Sequence, residues 1–233
     1  MALSHSPRIV TDGLVFAVDA ANSRSYSGTG TTWSDLSGNG NNGTLTNGPT
    51  YDSANSGSIV FDGVNDYWTA SNSSSLNISG SNITIGVVYK SNGLSDAQHG
   101  DGLISKGSGA NDGQYELLLV PSGTKNIAFF RCNTVGTYSP GSTTMDIGTI
   151  YFITGVLSNG YMRLYINGVQ EGTGVQQSNS IVSREQGLSI AARYGGSFAA
   201  LNGNIYSASI YNRALTAAEV TQNFNATRSR YGI

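Results

Sequence analysis

The residues best suited to bind a ligand lie in one short loop, DGVND at residues 62–66, which is followed by Tyr67 and Trp68. The side-chain oxygens of Asp62, Asn65 and Asp66 could coordinate a metal ion or accept hydrogen bonds from sugar hydroxyls. The rings of Tyr67 and Trp68 could provide flat faces on which a sugar stacks. This loop is therefore the first candidate for a ligand-binding site.

The same residues also have a structural interpretation. Asp and Asn are favoured in tight turns because their side chains accept hydrogen bonds from the backbone of the turn. Since side chains alternate across a strand, at most one of Tyr67 and Trp68 faces solvent. Trp33 could likewise be a sugar platform or an anchor that holds a long loop to the core. The predicted glycan-binding residues are Trp33, Asp62, Asn65, Asp66, Tyr67 and Trp68, with a structural role as the alternative.

A second oxygen-rich stretch contains Asp96, His99, Asp101 and Asp112. Asp101 and Asp112 flank a predicted strand, so they could meet at one end of a hairpin and contribute to a metal site. A solvated loop explains the same residues more simply. The sequence therefore leaves the identity and the existence of a metal site open.

The arrangement of carboxylates argues against catalysis. Glycoside hydrolysis needs two carboxyl groups that face each other across the sugar, ~5–10 Å apart. The four glutamates, Glu116, Glu171, Glu185 and Glu219, are far apart in the sequence, and neither histidine belongs to a recognisable nucleophile motif. The single Cys132 follows Phe129, Phe130 and Arg131, as expected for a buried strand residue. We therefore predict a protein that is not an enzyme.

Composition excludes other classes of function. Charged residues make up 11% of the 233 residues and the net charge is −2, which is too neutral for a protein that binds nucleic acid through a basic surface. No stretch approaches the ~20 apolar residues of a membrane-spanning helix. The first residues lack the apolar core of a signal peptide, which predicts that the chain is made in a cytoplasm or leaves a cell by lysis.

Hydrophobic patterning predicts an all-β fold. Short runs of Val, Ile, Tyr and Phe alternate with turns rich in Gly, Asn and Ser, and Asn167-Gly168 between two runs indicates a hairpin. About a dozen short antiparallel strands need two packed sheets to bury their apolar faces. The predicted strands are residues 14–19, 58–62, 66–70, 82–90, 102–106, 114–120, 126–132, 151–157, 161–166, 169–172, 187–193 and 203–211.

The last predicted strand leads into the only predicted helix. Strict alternation would place Ile205, Ser207 and Tyr211 on one face of that strand. Thr216 and Glu219 then have the spacing of a capping box, which predicts the start of a short C-terminal helix. We expect residues 14–233 to form a single domain, and residues 1–13 to form a segment pinned by a neighbouring chain.

Several blocks of this sequence, in order, resemble laminin G-like, concanavalin A-like jelly-roll domains. They are DLSGNGNNGTLTNGPTY (residues 35–51), SIVFDGVNDYWTA (58–70), LISKG (103–107), RLYINGV (163–169) and NGNIYSASIYNRALTAAEV (202–220). The block DAANSRSYSGTGTTWSDLSGNG (19–40) is similar to modules in structural proteins of tailed bacteriophages. The resemblance implies a two-sheet antiparallel jelly-roll sandwich with one short C-terminal helix.

The resemblance also implies a function. A relative of the bacteriophage type would be a non-enzymatic protein on the virion surface, acting as a capsid decoration, fibre or accessory protein. Its partners would be capsid or tail proteins in an oligomeric assembly, with weak binding of host-surface glycans in addition. The alternative is a carbohydrate-binding lectin or adhesin, with or without calcium. Relatives often carry an Asp-Asp pair where this chain has Tyr206 and Ser207, which weakens the expectation of calcium.

Overall fold

Sixteen β-strands and one α-helix are found in the part of the chain that the structure describes. The computed structural model describes residues 7–95, 100–107, 113–133, 139–177, 180–196 and 198–233. The first eight strands are β1 (Leu14–Asp19), β2 (Thr32–Trp33), β3 (Gly43–Thr46), β4 (Thr50–Asp52), β5 (Ser58–Asp62), β6 (Tyr67–Ala70), β7 (Asn82–Ser91) and β8 (Asp101–Gly107). They are followed by β9 (Gly113–Ser122), β10 (Lys125–Cys132), β11 (Ser139–Pro140), β12 (Ile150–Ser158), β13 (Tyr161–Ile166), β14 (Val169–Gln176), β15 (Leu188–Ile190), β16 (Asn202–Tyr211) and the helix α1 (Ala217–Tyr231).

These strands form two eight-stranded sheets. Sheet A has the order β14-β13-β12-β7-β16-β5-β4, and β1 also pairs with β16. Sheet B has the order β11-β10-β9-β8-β15-β6-β3-β2. All of these pairings are antiparallel. The predicted all-β, two-sheet antiparallel sandwich with one C-terminal helix is confirmed.

Four short strands were not predicted from the sequence. β2, β3, β4 and β11 contain two to four residues each. A run of this length is too short to show alternation, and the first three lie in or beside a stretch rich in Asn-Gly turns. These strands exist because longer neighbours provide hydrogen-bond partners: β3 pairs with β6, and β4 pairs with β5.

The two tryptophans lie in the core between the sheets. Trp33 and Trp68 are both 0% exposed, and their rings meet edge to face with centroids 6.5 Å apart. Trp68 also packs against Phe16 of β1, at 5.4 Å between ring centroids. The prediction that Trp33 and Trp68 offer surfaces to a sugar is therefore wrong, because both rings are buried between the sheets. Trp33 anchors the turn-rich segment to the core.

The alternation in β16 is interrupted by a β-bulge. The pairing with β7 shifts between Ile205 and Ser207, so Tyr206 and Ser207 together oppose one residue, Val88. Ile205 consequently packs in the core with Ala208, while Tyr206 belongs to a separate cluster on the other face of sheet A. The expectation that Ile205 shares a face with Ser207 is wrong for this reason.

Helix α1 covers the outer face of sheet A, the face opposite to the core. Thr216 and Glu219 form the predicted capping box, and Gly232 ends the helix with a left-handed φ of 72°. Two small apolar clusters hold the helix to the sheet. One contains Val10, Val156, Tyr165, Tyr211, Leu215 and Val220, and the other contains Val88, Ile150, Phe152, Tyr206 and Tyr231 with Phe224 against it. In the described residues, the single α-helix is too short and too polar to cross a membrane.

The described part of the N-terminal segment, residues 7–13, is held by the chain itself. The Val10 N–H donates to Asn223 Oδ1 at 2.8 Å, and the Val10 carbonyl accepts from the Tyr211 hydroxyl at 3.0 Å. Arg213 binds Asp12 through an ion pair of 2.8 Å. For these residues α1 and the end of β16 provide the contacts that we expected from a neighbouring chain.

Candidate functional site

The predicted DGVND loop is a tight turn between β5 and β6. Asp62 Oδ1 accepts hydrogen bonds from the N–H groups of Val64, Asn65 and Asp66, at 2.8, 3.3 and 3.4 Å. The first of these bonds has the largest part in lowering the pKa of Asp62. Asp66 Oδ2 accepts from the Asp62 N–H at 3.2 Å, and burial, followed by the charge of Asp62, raises the pKa of Asp66. Both carboxylates are thus used to hold the turn.

Other predicted residues are dispersed. The Asn65 side chain is exposed, and its carbonyl accepts from the Asn47 amide at 2.7 Å. In the second oxygen-rich stretch, Asp96, His99 and Asp112 lie outside the described residues, and Asp101 is buried. Within the described ranges, no group of three or more His, Cys, Asp and Glu side chains could hold a metal ion.

The pair Tyr206 and Ser207 lies beneath α1. The Tyr206 ring meets the Tyr231 ring edge to face, with centroids 5.2 Å apart, and the Tyr231 hydroxyl is 3.4 Å from Ser207 Oγ. The position where relatives often carry two acids is therefore occupied by a contact between the sheet and the helix.

A continuous polar row crosses the outer face of sheet B. Neighbouring residues in this row lie opposite each other on adjacent strands, so their side chains share one face of the sheet. Their neighbours along each strand point into the core, as Tyr115 and Leu117 do on either side of Glu116. From β10 to β2 the polar row consists of Arg131, Glu116, Ser105, Ser189, Thr69, Thr44 and Thr32.

The row begins with a charged group, the arginine–tyrosine cluster, formed by Glu116, Arg131, Arg193 and Tyr194. Glu116 is 1% exposed, and its Oε2 accepts from Arg131 Nη2 at 2.9 Å and from Arg193 Nε at 3.1 Å. Both arginines also donate to the Tyr194 hydroxyl. Burial, followed by the charge of Glu116, raises the pKa of Tyr194. The hydroxyl therefore stays protonated at neutral pH and can exchange hydrogen bonds with a ligand.

Two oxygen atoms beside this cluster lack hydrogen-bond partners among the described residues. They are Glu116 Oε1 and Ser105 Oγ, both buried, on residues that face each other across β9 and β8. Buried polar atoms are normally paired, and leaving one unpaired costs about 1–3 kcal/mol. Buried atoms without a partner also occur elsewhere among the described residues, for example Trp33 Nε1 and Trp68 Nε1. It is the combination of these two oxygens with the charged cluster that makes this part of the polar row the candidate binding site.

Aromatic rings border the cluster. The Tyr194 ring stacks with Phe198 at 6.0 Å and 21°. Gly196, at a φ of 90°, lies against the Tyr67 ring so closely that a Cβ there would be 2.4 Å from a ring carbon. Among the six residues predicted to bind glycan, Tyr67 is the one that reaches this face, where it is half-buried.

The sequence alone predicts only part of this site. Alternation in β9 and β10 places Glu116 and Arg131 on the non-core face of their strands. Nothing local in the sequence connects either residue with Arg193 or Tyr194, which lie more than sixty positions further along the chain. Their meeting depends on the pairing of β15 with β8, a contact between distant segments.

A family model described as "Concanavalin A-like lectin/glucanases superfamily", Laminin_G_3, matches residues 61–221. A search of curated protein sequences gives no match. One similar solved structure is Domain 4 of AbnA, a GH43 extracellular arabinanase from Geobacillus stearothermophilus, in complex with arabinotriose. It has a TM-score of 0.67 and 18% sequence identity, and the alignment covers 90% of this chain and 97% of that one.

Two further structures are similar over most of this chain. The binding domain of Paraclostridial Mosquitocidal Protein 1 has a TM-score of 0.68 and 18% identity, with 93% of this chain and 52% of that chain covered. Trypanosoma rangeli sialidase in complex with the inhibitor DANA has a TM-score of 0.65 and 15% identity, with 95% and 35% covered. This chain thus spans about a third of the sialidase and about half of the mosquitocidal binding domain. At such low identities the likeness concerns the fold alone.

Proposed function

Because this chain belongs to the Laminin_G_3 family of the concanavalin A-like lectin/glucanases superfamily, we propose that it is a non-catalytic glycan-binding module. Its binding face is the outer face of sheet B around the arginine–tyrosine cluster. The observation that carries this proposal is the pairing of Glu116 with Arg131 and Arg193 beside Tyr194, next to two buried oxygens that have no partner in the described part of the chain.

The residues of this face suit the two kinds of contact that sugars make. Guanidinium and hydroxyl groups of Arg131 and Tyr194 can donate to or accept from sugar hydroxyls, and the threonines of the polar row extend this capacity across the sheet. The half-buried rings of Tyr67 and Phe198 can pack against the apolar face of a sugar ring. Arabinotriose is the ligand named for one similar domain, and it is a suitable first probe for this chain.

The carboxylates support binding without catalysis. Glu116 is held between two arginines, both of which donate hydrogen bonds to its Oε2. Glu171 accepts hydrogen bonds from both N–H and hydroxyl groups of Ser142 and Thr143, and Glu219 is bound to Arg213. Each of these three carboxylates is hydrogen-bonded to different partners in a different part of the fold, whereas glycoside hydrolysis needs two carboxyl groups that face each other across the sugar.

A glycan array that includes arabino-oligosaccharides and sialylated glycans tests the proposal. We expect wild-type protein to bind at least one glycan class, and Arg131→Ala to weaken that binding at least about tenfold, equivalent to about 1.4 kcal/mol. Asn65→Ala, in the exposed β5–β6 turn, is the matched control and should bind as wild type does. Each array is repeated with a chelator, and we expect binding to be unchanged because the proposed face needs no calcium.

Blank arrays for a folded wild-type protein would overturn the glycan proposal. So would an Asn65→Ala variant that loses binding while Arg131→Ala retains it, since the site would then lie at the turn. Circular dichroism and a melting curve for each variant separate lost binding from lost folding.

We also propose a role on the surface of a virion as a second candidate function, in which the chain contacts capsid or tail proteins. The observation that favours it is the resemblance of residues 19–40 to modules of tailed-bacteriophage structural proteins. The two functions are compatible, because a virion surface protein can bind host glycans. If fractionation of intact particles leaves this protein entirely in the soluble phase, the virion role is excluded.

A further inference from the structure

A cavity of about 210 Å³ lies between α1 and the outer face of sheet A. Its floor is formed by strands β1, β7 and β16, and its walls by α1 and the N-terminal segment. The residues on the floor are small: Ala17, Gly86, Ser207 and Ser209. Because this floor belongs to the outer face of sheet A, the cavity lies on the opposite side of the sandwich from the polar row of sheet B.

The cavity follows from how the helix is held. The two apolar clusters under α1 fix its distance from the sheet, and they consist of large side chains such as Tyr211 and Phe152. The small floor residues cannot fill the gap that this distance leaves. At Gly86 an added Cβ would lie 3.0 Å from Ser209 Oγ and 3.1 Å from the Phe152 ring, so the space directly above Gly86 is taken by these two side chains and the open volume lies beside them.

The lining of the cavity defines the chemistry of a ligand. Most of the lining is apolar, through Leu14, Val88 and Phe152, and hydroxyl groups come from Ser207, Ser209 and Thr227. The charges at one end are already paired, since Arg230 binds both Asp19 oxygens at 2.7 and 3.1 Å. An uncharged molecule with one hydroxyl group matches this lining better than an ion.

Size and access are consistent with a small ligand. An apolar cavity of roughly 150 Å³ is sufficient to bind benzene in a protein core, so the larger volume here accepts a single substituted ring. Ile9 lines the cavity and is 39% exposed, so in the described part of the chain the cavity reaches the surface beside this residue. Val10, next to Ile9, is fixed to the helix by the hydrogen bond from its N–H to Asn223 Oδ1 at 2.8 Å.

We propose that the cavity under α1 is a second ligand site, which binds a small uncharged ring compound carrying a hydroxyl group. The ring fills the apolar part, and its hydroxyl bonds to the serine and threonine hydroxyls of the floor and wall. The site is independent of the proposed glycan face, which belongs to the other sheet.

The test is a ¹⁹F NMR titration of 4-fluorophenol with the full chain. We expect a concentration-dependent shift or broadening of the fluorine signal, saturating in the millimolar range or below. Thr227→Leu and Ser209→Leu place extra carbon atoms in the cavity from the helix and the sheet, and each should weaken binding at least about tenfold. Ser229→Leu makes the same kind of change on an exposed position of α1 and should bind as wild type does.

The outcomes separate clearly. No change in the fluorine signal with folded wild-type protein overturns the proposal. Equal binding by wild type, Thr227→Leu and Ser209→Leu also overturns it, because the probe would then be bound elsewhere. A melting curve shows whether each cavity-filling variant is folded. If Thr227→Leu on the helix misfolds, Ser209→Leu on the sheet still tests whether the probe binds in the cavity, and the reverse also holds.

Discussion

At the residue scale, Lys106 is the clearest example of a charge that the fold requires. Its ammonium group is fully buried and donates to Asn72 Oδ1 at 2.9 Å and to the carbonyls of Arg184 and Gln186 at 2.5 and 2.7 Å. Burial lowers the pKa of Lys106 to about 8, and the nearby Glu185 opposes this change. At neutral pH the group is therefore still charged, and it connects β8 to the segment before β15.

Replacing this lysine should strongly destabilise the protein. Lys106→Met keeps the length of the side chain and removes the cation together with its three hydrogen bonds. We expect the free energy of unfolding at pH 7 to fall by about 3 kcal/mol, as measured by urea denaturation.

Lys125→Met is the control for the loss of a lysine charge. Lys125 forms an ion pair of 2.7 Å with Asp146, but the two side chains are 42% and 57% exposed. An exposed pair contributes about 0–1 kcal/mol. Similar losses for the two variants would contradict the structural role assigned to Lys106.

At the scale of single elements, the start of α1 depends on one carboxylate. Glu219 Oε2 accepts from the Thr216 N–H at 2.8 Å, and Glu219 Oε1 forms an ion pair of 2.6 Å with Arg213. Arg213 also binds Asp12, so Glu219 indirectly fixes the N-terminal segment. Hydrogen bonding to Arg213 lowers the pKa of Glu219 from 4.5 to about 2.

This shift predicts a loss of stability in acid. Because the pKa is lower in the folded state, the ionised carboxylate stabilises the fold fully above pH 4.5, and the contribution is lost as the pH falls towards 2. We expect Glu219→Gln to be less stable than wild type at pH 7 and equally stable near pH 2. Urea denaturation across this range measures the difference.

Thr216→Ala is the matched variant for that experiment. It removes the other half of the capping box, at a cost of about 1 kcal/mol, but it removes no titrating group. The Thr216 hydroxyl also donates to Glu219 Oε2 at 3.1 Å and helps to lower the pKa of Glu219, so this part of the cost should disappear near pH 2. The part that comes from the lost bond between the Glu219 N–H and Thr216 Oγ1 should remain at both pH values, so the pH dependence should be smaller than for Glu219→Gln. If Glu219→Gln and wild type differ by the same amount at every pH, the assignment of the ion pair is wrong.

At the scale of the whole molecule, the two proposed sites are separated by the core. The glycan face is the outer side of sheet B, and the cavity is on the outer side of sheet A, with the main apolar cluster between them. Sites this far apart without shared contacts are expected to act additively. We expect Thr227→Leu to leave glycan affinity unchanged within about twofold, and Arg131→Ala to leave 4-fluorophenol binding unchanged. A change of tenfold in either measurement would reveal coupling across the sandwich.

Local patterns in the sequence determined most of the framework. Alternation predicted the long strands, with β1, β5 and β13 correct to the residue. The spacing of Thr216 and Glu219 predicted the start of α1, and turn chemistry explained Asp62. These features depend on residues within a few positions of each other, so the sequence is sufficient to predict them.

Tertiary structure alone decided which residues meet and which are exposed. Trp33 and Trp68 have flat rings of the kind that stack on sugars, but both are buried between the two sheets. Tyr67 instead lies on the outer face, beside Gly196. Glu116 and Arg193 form one cluster only because β15 pairs with β8. The bulge at Tyr206 and the cavity under α1 also arise from packing between distant segments. Sequence spacing carries no information about such contacts, because the free energy that selects them comes from the assembled sheets.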